Sequence, residues 1–271
     1  MNCLRVLHKN LEVVEVLPSE HGRQNVWRLR SGEDVMILKR FENTRGFRQA
    51  IVALEQWGVA DAPKLLSVYD GHLAILLSAL KGVSGLSWLP HDDGPLFERA
   101  GRWLRALHRL EVNTADPMNL RDALKRRCQV RLSQLKSITS ESEFRELKSV
   151  LDCPESSPGR RVPCHRDFMP RNWLVDGGNF SVVDFEHARM DAWFVDFGLL
   201  EESLWTSNQS SAFWRGYGLV PDDAAKSWLR WAVAMQAAGS LLWGVRQGDV
   251  IYQERGLCWL RRAKMNKWLP R

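Results

Sequence analysis

The sequence predicts an α+β chain in two lobes, a small mixed β lobe over residues 1–80 and a larger, mainly helical lobe over residues 81–271. Three observations carry this expectation. Short runs in the first 80 residues alternate apolar and polar side chains, the period of half-buried strands. From Leu96 onward apolar residues recur at helical spacing. Between the two regions, Lys81-Gly-Val-Ser-Gly85 is a small-residue stretch suited to a hinge.

In chain order, Asn25-Val-Trp-Arg-Leu29 reads as a strand, Ser31–Asp34 as a turn and Val35–Lys39 as the returning strand of a hairpin. Phe47, Ala50, Ile51, Leu54 and Trp57 form a helical stripe closed by Gly58. His72–Leu77 reads as a strand after the Asp70-Gly71 turn. Beyond the hinge, Leu96, Ala100, Trp103, Leu104 and Leu107 share one helix face. Residues Leu120 to about Val150 are helical and highly charged, and Asp152–Gly159, with Pro154 and Pro158, is a loop. A strand-and-loop segment and further helices complete the chain. The most apolar late stretch, Trp228–Val245, contains Arg230 and Gln236 and has Asp222 upstream as a candidate N-cap. It therefore reads as a buried helix, not a membrane span.

Composition narrows the function classes. The 271 residues are 45% hydrophobic and 26% charged, which is globular and not disordered. Lys and Arg total 38 against 32 Asp and Glu, a net charge of +6 spread along the chain without a long basic run, so a nucleic-acid partner is not expected. The five cysteines are odd in number, widely spaced and free of Cys-x-x-Cys, which speaks against a disulfide framework or a zinc site. No apolar leader segment is visible, so the expectation is a cytoplasmic protein without a membrane partner.

The segment Val162–Glu186 concentrates the chemistry. Trp173-Leu-Val and Phe180-Ser-Val-Val flank Asp176-Gly-Gly-Asn179, a strong hairpin signal. Folding about residues 177 and 178 sets Asn172 opposite Asp184, or within one residue of it. An amide oxygen and a carboxylate at one hairpin end suit Mg²⁺, which takes hard oxygen ligands and keeps waters. Asp167, five residues before Asn172 in the loop entering the hairpin, can bring a carboxylate to the same end. There it could accept a hydroxyl proton beside a metal-bound phosphate.

The string His165-Arg-Asp167-x-x-x-x-Asn172, followed by Val183-Asp184-Phe-Glu186, resembles the signature of the aminoglycoside phosphotransferase and choline kinase superfamily. The run from Asp184 to Asp196 is similar to that family's downstream segment, and Leu107-His108 to the end of its first long helix. The resemblance implies a two-lobed protein-kinase-like fold. It implies Asp167 as catalytic base, Asn172 and Asp184 as Mg²⁺ ligands, and Lys39 as the lysine that contacts the nucleotide's phosphates. It implies a phosphate-covering loop around Ser19 and Gly22, a nucleotide hinge at Ala79 and Leu80, and a structural Asp196 bracing the catalytic loop, with His165 fixing it. Two departures stand out. Arg166 lies where the family has a small residue, and the partner of Lys39 is open among Glu55, Gln49 and Glu42.

Protein kinases follow the metal aspartate with Phe-Gly and a segment ending in Ala-Pro-Glu. Here the triplet is Asp184-Phe-Glu186 and no Ala-Pro-Glu follows, which leaves no platform for a peptide. The expected reaction is transfer of the γ-phosphoryl of ATP (or GTP) to a hydroxyl of a small molecule. The leading acceptor is an antibiotic of aminoglycoside or nucleoside type, with resistance as the outcome. The alternatives are a metabolic kinase of choline, ethanolamine, methylthioribose or homoserine type, and a non-catalytic nucleotide-binding module. Tryptophans after Asp184 (Trp193, Trp205, Trp214, Trp228, Trp231, Trp243, Trp259, Trp268) read mainly as helix packing, with some free to stack an acceptor. Oligomeric state is not legible.

Overall fold

A computed structural model describes residues 12–17, 25–89, 94–112, 118–198 and 206–265. They form two compact units. One comprises Met1–Ser87 with Arg171–Arg189, the other Trp88–Pro170 with Met190–Arg271.

The first unit is built on an antiparallel sheet of β1 (Glu12–Val16), β2 (Val26–Ser31), β3 (Asp34–Arg40), β4 (Leu65–Tyr69) and β5 (Ala74–Ser78), in the order β1-β2-β3-β5-β4. The expected β2–β3 hairpin is present, with Ser31 opposite Asp34 and Val26 opposite Lys39. Alternation puts Leu29, Leu38, Ala74 and Leu76 into one buried cluster, covered by Trp27, Met36 and Tyr69. Helix α1 (Thr44–Gln56) starts at Asn43, whose side chain accepts from the Gly46 amide, and ends at Trp57, with Gly58 at φ +60° beyond it. It buries Phe47, Ala50 and Ala53, as the stripe requires.

One strand starts later than expected. Asp70–His72 is a 3₁₀ turn and Leu73 is left-handed at φ +47°, so β5 begins at Ala74, not at His72. The second sheet of this unit joins β6 (Val83–Ser84) to β8 (Trp173–Asp176) and β9 (Asn179–Val182). The β8–β9 hairpin has the expected register, Asp176 opposite Asn179, with Gly177 taking φ +57° in the turn. Val182 N–H donates to Asp61 O at 3.1 Å, which ties this returning segment to the N-terminal part of the unit.

The second unit is helical: α2 (Pro95–Arg109), α3 (Leu120–Lys136), α4 (Glu141–Leu151), α5 (Ser207–Tyr217), α6 (Asp223–Gln247) and α7 (Val250–Lys264), with a small ladder of β7 (Arg161–Cys164) and β10 (Arg189–Ala192). Helices α2 and α5 cross backbone to backbone. A Cβ on Gly101 would lie 2.2 Å from Phe213 O, and one on Gly216 2.0 Å from Glu98 O, so only glycine fits at both points. The apolar α6 is capped by Asp222, whose carboxylate accepts from Ala225 N–H at 2.7 Å, and it buries Trp228, Trp231 and Leu241. Among the described residues no helix is long and apolar enough to cross a membrane.

Candidate active site

In the first unit the site grows from β3 and the end of β9. Lys39 shares the β3 face opposite to Leu38 and is only 8% exposed. Its ammonium lies 2.5 Å from Asp184 Oδ1 and 2.9 Å from Glu186 Oε2, and 5.1 Å from the centre of the Phe41 ring. Burial alone would push this ammonium's pKa down. The Asp184 and Glu186 carboxylates outweigh burial and hold it above its ordinary value. Asp184 has φ +71°, an uncommon conformation for a residue with a side chain, held where β9 ends. Val183 N–H donates to Asn172 O at 2.9 Å, so Asn172 stands opposite Val183, one residue from Asp184. The Asn172 side chain is buried.

The partner of Lys39 is thus not a helix residue. Glu55 is exposed on α1, and the ion pairs come from the Asp184–Glu186 segment. The signal present in the sequence was the pair of acids two residues apart directly after a strand. Ala79 and Leu80 follow β5 and are half-buried, with Ala79 N–H donating to Val35 O at 3.3 Å. Ser19 and Gly22 lie outside the described residues.

In the second unit the loop carrying Asp167 is held by a buried polar chain. Asp196, 1% exposed, accepts from His165 N–H at 3.1 Å and from Arg166 N–H. His108 Nε2 donates to Asp196 Oδ2 at 2.8 Å, and the Tyr217 hydroxyl donates to His108 Nδ1 at 2.8 Å. Burial pushes the Tyr217 phenol well above its ordinary pKa, which keeps its proton in place for that role. Asp167 N–H points to His165 Nδ1 at 3.3 Å, and the His165 ring meets Trp103 and Phe168 edge-on. His165 is therefore a loop-fixing residue. Arg166 takes φ +66°, and its Nε lies 3.2 Å from Asp191, which Arg127 also grips through both oxygens at 3.0 Å.

His108, Cys164 and Asp196 gather ligand atoms within 4.8 Å of one another. Both ring nitrogens of His108 are engaged, Asp196 serves the loop amides, and burial raises the Cys164 thiol pKa well above normal, so the trio is a hydrogen-bond hub and not a metal centre.

Trp228, Trp231 and Trp259 are core residues. Trp214 stacks on Phe197 at 5.0 Å and Trp193 on Tyr217 at 6.2 Å. Trp205 and Trp268 lie outside the described residues.

A family model described as "Phosphotransferase enzyme family" matches residues 14–231. Among solved structures, the chain is similar to the GDP and kanamycin complex of APH(2")-IIia, with 16% identity over 98% of both chains and a TM-score of 0.75. It is similar to a thermostable mutant of the aminoglycoside phosphotransferase APH(4)-Ia in ternary complex with AMP-PNP and hygromycin B, with 15% identity, 96% and 97% coverage and a TM-score of 0.71. A choline/ethanolamine kinase family protein from Mesorhizobium loti matches with 20% identity, 94% and 87% coverage and a TM-score of 0.67. These likenesses show a protein-kinase-like fold. No curated protein matches the chain in sequence.

Proposed function

Since the chain belongs to the phosphotransferase enzyme family and is an enzyme with an alcohol group of a small molecule as acceptor, we propose that it transfers the γ-phosphoryl of ATP (or GTP) with Asp167 as base. The observation that carries the reading is the meeting of Lys39 with Asp184 at 2.5 Å across 145 positions of chain. A phosphate-binding cation and a metal-binding carboxylate within reach of one triphosphate is what phosphoryl transfer needs. In this reading the Lys39 ammonium turns to the α- and β-phosphates, Ala79 and Leu80 border the base, and Ser19 and Gly22 are candidates for contact with the nucleotide.

Asn172 and Asp184 offer hard oxygen donors at adjoining strand ends, which fits Mg²⁺. Mg²⁺, when bound there, supplies positive charge against the phosphate oxygens. Asp167 takes the proton of the acceptor hydroxyl, and the oxygen of that hydroxyl forms a bond to the γ-phosphorus. The bond from that phosphorus to the β–γ bridging oxygen breaks, and ADP leaves with the bridging oxygen.

For the acceptor we propose an antibiotic, supported by kanamycin and hygromycin B in the complexes of similar fold. A metabolic alcohol is the second reading, supported by the choline/ethanolamine kinase family neighbour. The tryptophans engaged in the core or in ring stacks do not favour a choline cage. The free cysteines Cys128, Cys153, Cys164 and Cys258 support a reducing compartment, the cytoplasm.

The test is ADP release across aminoglycosides, nucleoside antibiotics, choline and homoserine, with Asp167→Asn as comparison. The variant should lose about 10²–10⁴-fold in kcat, the range of a general base. Undiminished turnover would remove Asp167 from the chemistry. Nucleotide binding without turnover on any acceptor would leave a binding module.

A further inference from the structure

The second unit holds a pocket of about 420 Å³ lined by Ala123, Arg126, Arg127, Val130, Arg131, Gln134 and Arg246. Six of these lie on α3 at spacings of three and four, one helix face, and Arg246 comes from the last turn of α6. Four of the seven lining residues are arginines and none is acidic.

Such crowding of like charges is unfavourable by itself. Arg131 is half-buried, and burial together with Arg246, Arg127 and Arg166 pushes its pKa down. Nothing among the described residues supplies Arg131 with a carboxylate. Its guanidinium lies along α6, where a Cβ on Gly239 would come within 3.3 Å of Nη2. The facing acid of this region, Asp191, is spent on Arg127 and Arg166.

Arg127 also links the pocket to the catalytic loop. It grips Asp191, Asp191 grips Arg166, and Arg166 precedes Asp167. An arginine-lined volume of this size suits a small organic molecule that carries an acidic group, and not a duplex groove.

We propose that this pocket receives an acidic group, carboxylate or phosphate, of the hydroxyl acceptor, so that within the antibiotic and metabolic readings above the substrate is an alcohol that carries an anionic group. The inference rests on the phosphotransfer reading above and narrows its acceptor class.

A matched hexose set tests it: glucose, glucosamine, glucuronate and glucose 6-phosphate. Binding of each to the full chain is measured by calorimetry without nucleotide, and ADP release with Mg-ATP is measured separately. We expect glucuronate or glucose 6-phosphate to bind at least tenfold more tightly than glucose and glucosamine, and which of the two wins distinguishes carboxylate from phosphate. Arg131→Gln should erase the difference, and Arg246→Gln, at an exposed position, keeps the test open if the first variant does not fold. Lys39→Met should leave the preference intact, which separates this pocket from the nucleotide's phosphate site. Equal binding of all four, tighter binding of glucosamine, or unchanged selectivity in both arginine variants would overturn the proposal. Arginine-dependent anion binding with no ADP released from ATP in the presence of these hexoses or of any acceptor in the panel above would instead sink the phosphotransfer reading and leave the anion pocket standing.

Discussion

Lys39 shows how a single buried charge links stability and pH. Its folded-state pKa is raised above the ordinary 10.5, so the Asp184 and Glu186 pairs contribute fully below that value. Their contribution fades as pH climbs through the higher folded value. Urea unfolding between pH 9 and 12 should therefore show a loss that Lys39→Met does not share. The same variant should cut kcat by about 10²-fold or more, the scale of losing one charged transition-state contact. Asp196 carries a different load, two loop amides and His108. Asp196→Asn should cost about 2–3 kcal/mol, since bonds to a charged acceptor are being weakened, and should lower turnover without changing nucleotide affinity. These residues could be singled out because their spacing resembles a known signature. Their partners were not. Glu186 reaches Lys39 across the fold, and the loop arginine, Arg166, which departed from that signature, turned out to be tied to Asp191.

At the level of elements, periodicity was a good guide wherever one face is buried. The β2–β3 hairpin, α1, α2 and the β8–β9 hairpin all follow the pattern of their apolar residues. It was mute for β1, whose five residues are all exposed and give no alternation in burial. The late onset of β5 reflects the left-handed Leu73, a conformation no propensity announces. The α2–α5 crossing was equally hidden, because glycines inside helices read as weak points and not as contact points. Gly101→Ala should destabilise by about 3 kcal/mol or force the helices apart, as overpacking does, and calorimetric or urea unfolding will register it. Asp222→Ala removes the cap of α6 and should cost about 1 kcal/mol.

On the scale of the whole molecule, the pattern of residues distinguishes a strand-rich beginning from a helical remainder, and it cannot announce long-range pairing. Arg171–Arg189 returns to the unit built by Met1–Ser87, through β6–β8 pairing and the Val182 bond to Asp61. Ligand linkage gives a global test. Mg-ATP at a hundred times its dissociation constant should add about 2.7 kcal/mol to stability, seen as a raised midpoint that Lys39→Met abolishes. The net charge of +6 gains a local meaning as well, because four of the arginines behind it line one concavity.

The line from Tyr217 through His108 to Asp196 ends on the amides of His165 and Arg166. Its outer anchor sits in α5, the helix locked against α2 at Gly101 and Gly216. The loop that presents Asp167 is therefore tethered to that helix crossing. Gentle heating that slackens this joint should silence the enzyme while most of its ellipticity survives.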